Sequence, residues 1–112
     1  MLDVQAALTS AKVPGYRDAF RPTTDVQEPP DVYCVYQITT IPTMYADDEA
    51  QAELVRVQLY LFSQNSPEAT QAAIVAAMEA QTFNRKWSRD DYEPDTDVYL
   101  VLSEWDGIRW LG

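Results

Sequence analysis

Apolar residues recur along this chain with two periods, and the switches between them mark its elements. Val4, Ala7, Leu8 and Ala11 fall at helical spacing and predict a short helix from Leu2 to Lys12. Pro14-Gly15 stops it, because proline cannot continue the ladder and glycine tolerates a sharp turn. Tyr16 to Pro30 is expected to be irregular, with Pro22, Pro29 and Pro30 keeping it extended or turning. Alternation begins at Val32. Val32, Cys34, Tyr36 and Ile38 share one face, Tyr33, Val35, Gln37 and Thr39 the other, so a strand runs to Thr40 with the first set toward the core. Pro42 is expected to end it. Tyr45 to Ala50 reads as an acidic loop, longer than a tight two-residue turn and able to project as an arm. From Glu53 to Ser63, Val55, Val57, Leu59 and Leu61 lie on one face while Arg56, Gln58 and Tyr60 lie on the other. The two strands are expected to pair antiparallel.

Ser66-Pro67-Glu68 is a helix start: the serine caps free amides, proline takes the first helical position, and glutamate suits the positive dipole end. That helix should run to about Ala80 and bury Ala73, Ile74, Ala77 and Met78. Phe83 to Arg89 alternates again, with Phe83, Arg85 and Trp87 on one side. The residues Asp90-Asp-Tyr-Glu-Pro-Asp-Thr read as a polar turn. Val98 to Trp105 reads as the last strand, with Val98, Leu100 and Leu102 opposite Tyr99 and Val101. Asp106-Gly107 signals a turn before the short apolar tail Trp110-Leu111. The order predicts one α+β domain over residues 1–112: an antiparallel or mixed four-stranded sheet with two helices packed on one face.

Composition narrows the function. An apolar fraction of 46% in 112 residues supports a packed core. Eighteen acidic residues against eight basic ones give a formal charge of −10, which opposes binding to a phosphate backbone. The lone Cys34 allows no intrachain disulfide and reads as a small buried hydrophobe, in keeping with a reducing compartment. No run is long and apolar enough for a membrane span, and the N-terminus lacks the pattern of a secretory signal.

The chain has no histidine, so the commonest general base and metal ligand are missing. Asp47, Asp48 and Glu49 are oxygen donors of the kind Ca²⁺ or Mg²⁺ take, but without the glycine and ligand spacing of an EF-hand loop. That favours a solvated loop whose charges keep sheet edges apart. Asp90, Asp91, Glu93, Asp95 and Asp97 form a second cluster, again read as a polar turn. Arg85, Lys86 and Arg89 interleave with Phe83 and Trp87, as in surfaces that stack bases. Against so many acids, pairing with carboxylates of the same or a neighbouring subunit is the better reading. Tyr33, Tyr60 and Tyr99 are expected on the outward face, either covered by another protein or paired across strands. No enzyme chemistry, cofactor or metal site is read from the sequence.

As an ensemble, these patterns resemble the tail terminator or tail-completion proteins of long, flexible-tailed phages. Asp31-Val-Tyr-Cys-Val-Tyr-Gln-Ile resembles the family's first strand, Tyr45-Ala-Asp-Asp-Glu its acidic loop, and Leu54-Val-Arg-Val-Gln-Leu-Tyr-Leu-Phe-Ser the next strand. The helix from Pro67 and the run Tyr92-Glu-Pro-Asp-Thr-Asp-Val-Tyr-Leu complete the order, so the likeness covers about Asp31 to Glu104. The resemblance implies a structural virion protein at the head–tail interface, assembled in the host cytoplasm. It implies a homo-oligomer, a hexameric ring, that caps the tail tube and meets the major tail tube protein and the head-completion (stopper) protein. DNA would pass through its lumen without specific binding. The candidate interaction residues are Tyr45, Asp47, Asp48, Glu49, Tyr60, Trp87, Asp95 and Asp97. Three other readings stay open: an acidic protein-binding module such as a DNA mimic, another head–tail connector component that closes the head, and a metal-dependent hydrolase using Asp47, Asp48 and Glu49.

Overall fold

The computed structural model describes residues 1–23 and 27–111. Two helices and five strands follow in the order α1 (Val4–Ser10), β1 (Gly15–Arg17), β2 (Val32–Ala46), β3 (Glu49–Ser63), α2 (Glu68–Ala80), β4 (Asn84–Glu93) and β5 (Val98–Trp110). The architecture is α+β with a mixed sheet of order β1-β2-β3-β5-β4. β1 pairs parallel with β2, and every other pair is antiparallel. The sheet therefore has five strands where four were expected. β1 is three residues long, too short for alternation to register, and spans Gly15 of the expected stop and the start of the stretch expected to be irregular. Residues 24–26 of that stretch lie outside the described residues.

Alternation built the core as expected. Cys34 and Tyr36 of β2, Val55, Val57, Leu59 and Leu61 of β3, and Val101 and Trp105 of β5 are buried in one cluster. Val4, Ala7 and Leu8 of α1 and Ile74 and Met78 of α2 complete it. Helix cover is uneven: it ends before β4, in which every residue is exposed. Ala73 is exposed although it was expected in the buried face, while Ala77 packs at the core margin. The Asp3 side chain caps α1 by accepting from the Ala6 amide at 3.0 Å. At α2, Pro67 takes the cap position and no side chain caps, so Ser66 does not play its expected part. The Leu2 amide donates to the Gln81 carbonyl at 2.7 Å and ties the start of α1 to the end of α2.

Three boundaries differ from the sequence reading. Pro42 does not end β2 but sits inside it, opposite Glu53. β1 flanks β2 only from Cys34 to Tyr36, so at Pro42 the strand has an open side, where a missing N–H is tolerated. Asp106-Gly107 is likewise strand, not turn. A Cβ on Gly107 would lie 2.4 Å from Leu2 Cδ2, so the glycine serves close packing on β5 of Leu2, which precedes α1. Finally, Asp90 to Glu93 extend β4, and the turn is confined to residues 94–97.

Candidate interaction surface

β2 and β3 pair along almost their whole length, from Val32↔Ser63 to Ala46↔Glu49. Only Asp47 and Asp48 remain to connect them. Both have positive φ, 52° and 65°, the two-residue geometry that suits the right-handed twist of a hairpin. The acidic segment is therefore not a long arm. It is the tight tip of a hairpin whose fifteen-residue strands span most of a molecule 54 Å long. Tyr45 is 64% exposed near this tip, and Glu49 opens β3. Asp95 and Asp97 lie in the β4–β5 turn, beyond the Glu93↔Val98 pair. Since Ser63 is level with Tyr99, that turn lies at the end of the sheet opposite the hairpin tip. The two acidic clusters are thus held apart. In the turn, Tyr92 donates its hydroxyl to Asp97, which raises the phenol pKa.

The sheet face away from the helices carries apolar rows. Val35, Tyr60 and Leu102 are level across β2, β3 and β5, and so are Tyr33, Phe62 and Leu100. Tyr33 stacks on Phe62 with centroids 4.9 Å apart, and Tyr16 and Phe20 pack against Tyr33. Cross-strand pairing therefore accounts for Tyr33. Tyr60 shares this face. Tyr99 does not: it lies on the helix side and packs against Tyr92. At the turn end of the open face is a groove of about 330 Å³, lined by Pro29, Pro30, Tyr33, Phe62, Val98 and Leu100.

β4 closes the sheet on one side with only β5 as a neighbour among the described residues. A bulge between Arg85 and Trp87 shifts its register. Arg85 is level with Trp105 on the helix side, whereas Trp87 is level with Glu104 on the open face. The expected common face for Phe83, Arg85 and Trp87 is therefore lost. Phe83 precedes the strand and is buried in the core at 2% exposure. Lys86, in the bulge, reaches Asp106 at 3.8 Å, which agrees with the expected pairing to acids of the same chain for that residue. A second ion pair joins Arg109 and Glu53 at 2.9 Å on neighbouring strands. Between α2 and β4 runs a second groove of about 480 Å³, with Ala72, Val75, Ala76, Arg85 and Asp90 in its walls.

Among the described residues no three His, Cys, Asp or Glu side chains converge to hold a metal ion. Cys34 is buried, and burial pushes its thiol pKa up to about 12, which leaves it protonated and unreactive. No described helix is long and apolar enough to cross a membrane. The chain matches no protein-family model and no curated protein sequence. Sequence reasoning missed the free side of β2 above Tyr36. Its signal was present in Pro42 and the Thr39-Thr40-Ile41 run, which suit an uncovered strand.

Proposed function

We infer that this chain is a structural virion protein of a long-tailed phage, of the tail terminator kind, and not an enzyme. One observation carries the reading. Among the described residues the sheet ends on both sides in strands with unpaired edges, β2 above Tyr36 and all of β4. Such edges favour strand pairing with another chain. Two different edges on one subunit make a head-to-tail contact, which closes into a ring when the rotation permits. The resemblance over Asp31 to Glu104 supports the same role, and so does the charge of −10, since a carboxylate-rich lumen lets DNA slide without sticking. In this reading the subunits form a hexameric ring at the head–tail interface. The ring caps the tail tube, touches the major tail tube protein on one side and meets the head-completion protein on the other. Another connector role, closing the head, uses the same surfaces.

The test is the mass of the full chain, alone and with the tail tube protein, by sedimentation velocity and electron microscopy. Rings are expected. A strict monomer under both conditions rejects the reading. One observation favours a second reading, an acidic module that mimics DNA: the carboxylates of residues 47–49 and 95–97 occupy opposite ends of the molecule. That reading predicts salt-sensitive binding to a basic protein and no self-assembly.

A further inference from the structure

The charges on β4 are sorted along its length. Arg85, Lys86 and Arg89 fall within its first six positions, and Asp90, Asp91 and Glu93 within its last four. The free part of β2, from Gln37 to Ala46, has no charged residue but ends at Asp47, Asp48 and Glu49. The two free edges are also matched in length, at ten residues each.

We propose that a second copy of this chain lays the free edge of its β2 antiparallel along β4, so that its hairpin tip lies at the end of β4 that carries Arg85 and Lys86. This inference rests on the ring reading above and specifies its contact. Strand direction agrees with it. Along the sheet β2, β3, β5 and β4 alternate in direction, so a copy added beyond β4 by simple continuation presents its β2 antiparallel. Charge selects the same orientation. Running Gln37–Ala46 against Glu93–Asn84 brings the tip carboxylates past Arg85 and Lys86. The parallel alternative places them beside Asp90, Asp91 and Glu93, where like charges repel. β1 sets the limit of the contact, because it already occupies the β2 edge at Cys34 to Tyr36. The incoming copy is therefore displaced along the strand direction. Backbone bonds on either side of Pro42, which itself brings no N–H to this edge, supply the contact, and side-chain charge supplies its direction.

Two double variants test this at exposed positions. Asp47→Lys with Glu49→Lys makes the tip basic, and Arg85→Glu with Lys86→Glu makes the end of β4 beside it acidic. Circular dichroism checks that both fold. Each alone is expected to lose the ring and sediment as a monomer, because tip and β4 then repel. An equimolar mixture is expected to regain the ring, alternating the two variants, since each tip then meets a β4 of opposite charge. A wild-type ring with either folded variant still assembling alone overturns the proposed contact and leaves the ring reading standing. So does a mixture that stays monomeric. A wild-type monomer overturns both.

Discussion

β3 and β4 are strands of one sheet separated only by β5, yet they are stabilised in opposite ways. β3 is paired on both sides, and Val55, Val57, Leu59 and Leu61 are all buried. Its alternation states which face is inside. β4 is paired on one side, and none of its ten residues is buried. Its order comes from backbone bonds to β5 and from two weakly placed features, the bulge at Lys86 and the Tyr92–Tyr99 ring pair. A strand that buries nothing in its own chain has no reason to alternate. The contrast separates residues that serve folding from residues free to serve assembly.

The comparison breaks most visibly at its buried pole. Trp105 is fully buried on β5 beside β3, and its indole N–H donates to Ser103 Oγ at 2.9 Å. Trp105→Ala should cost about 3–5 kcal/mol in a urea titration through the cavity it leaves. A loss near that of a surface change would mean the core is not where the burial places it. Alkaline pH attacks the same pole. The Cys34 thiol, at 9.0 when free, is raised by burial to about 12, and Tyr36 is raised too, by burial first. The folded chain holds these protons to higher pH than the unfolded chain does. Stability is therefore full below pH 9 and declines as pH rises toward about 12, by about 1.4 kcal/mol per pH unit for the thiol alone. Urea midpoints that stay level across that window would contradict it.

Smaller effects belong to the assembly pole. Asp48 has φ 65° in the hairpin tip, a conformation that glycine adopts without strain. Asp48→Gly should raise stability by about 0.5–1 kcal/mol while removing one tip charge. A clear loss of stability would show that the aspartate holds the turn by its side chain. Trp87→Ala on β4 should change monomer stability by no more than about 0.5 kcal/mol, because the indole is 47% exposed and is not part of the buried core cluster. A drop of several kcal/mol would make β4 a folding element after all.

The same contrast explains what could be read in the residues. The helices, the inward faces of β2 and β3, and the antiparallel hairpin were legible because burial imposes period on sequence. The upper half of β2 was not, since Thr39 to Ala46 is exposed on most positions and carries a proline. The sequence predicts a longer loop over Tyr45 to Ala50 because Asp47-Asp48 lacks the Asn-Gly or Asp-Gly pair common in tight turns. Asp90 to Glu93 was read as turn because polar residues fill an uncovered strand and a turn alike. For the candidate interaction residues, sequence identified exposed acids and aromatics. It could not show that 47–49 and 95–97 lie at opposite ends, or that the bulge turns Trp87 away from Arg85, because both depend on register.

The three tryptophans make the molecule its own optical reporter. Trp105 is sealed in the core, while Trp87 and Trp110 stand 47% and 66% exposed on β4 and at the end of β5. A neutral quencher in water reaches two of the three indoles and spares the third. Emission thus divides into a short-wavelength part that follows folding and a long-wavelength part that follows what happens at the sheet's margin. One unlabelled sample, read at two wavelengths, distinguishes loss of the core from covering of its flank.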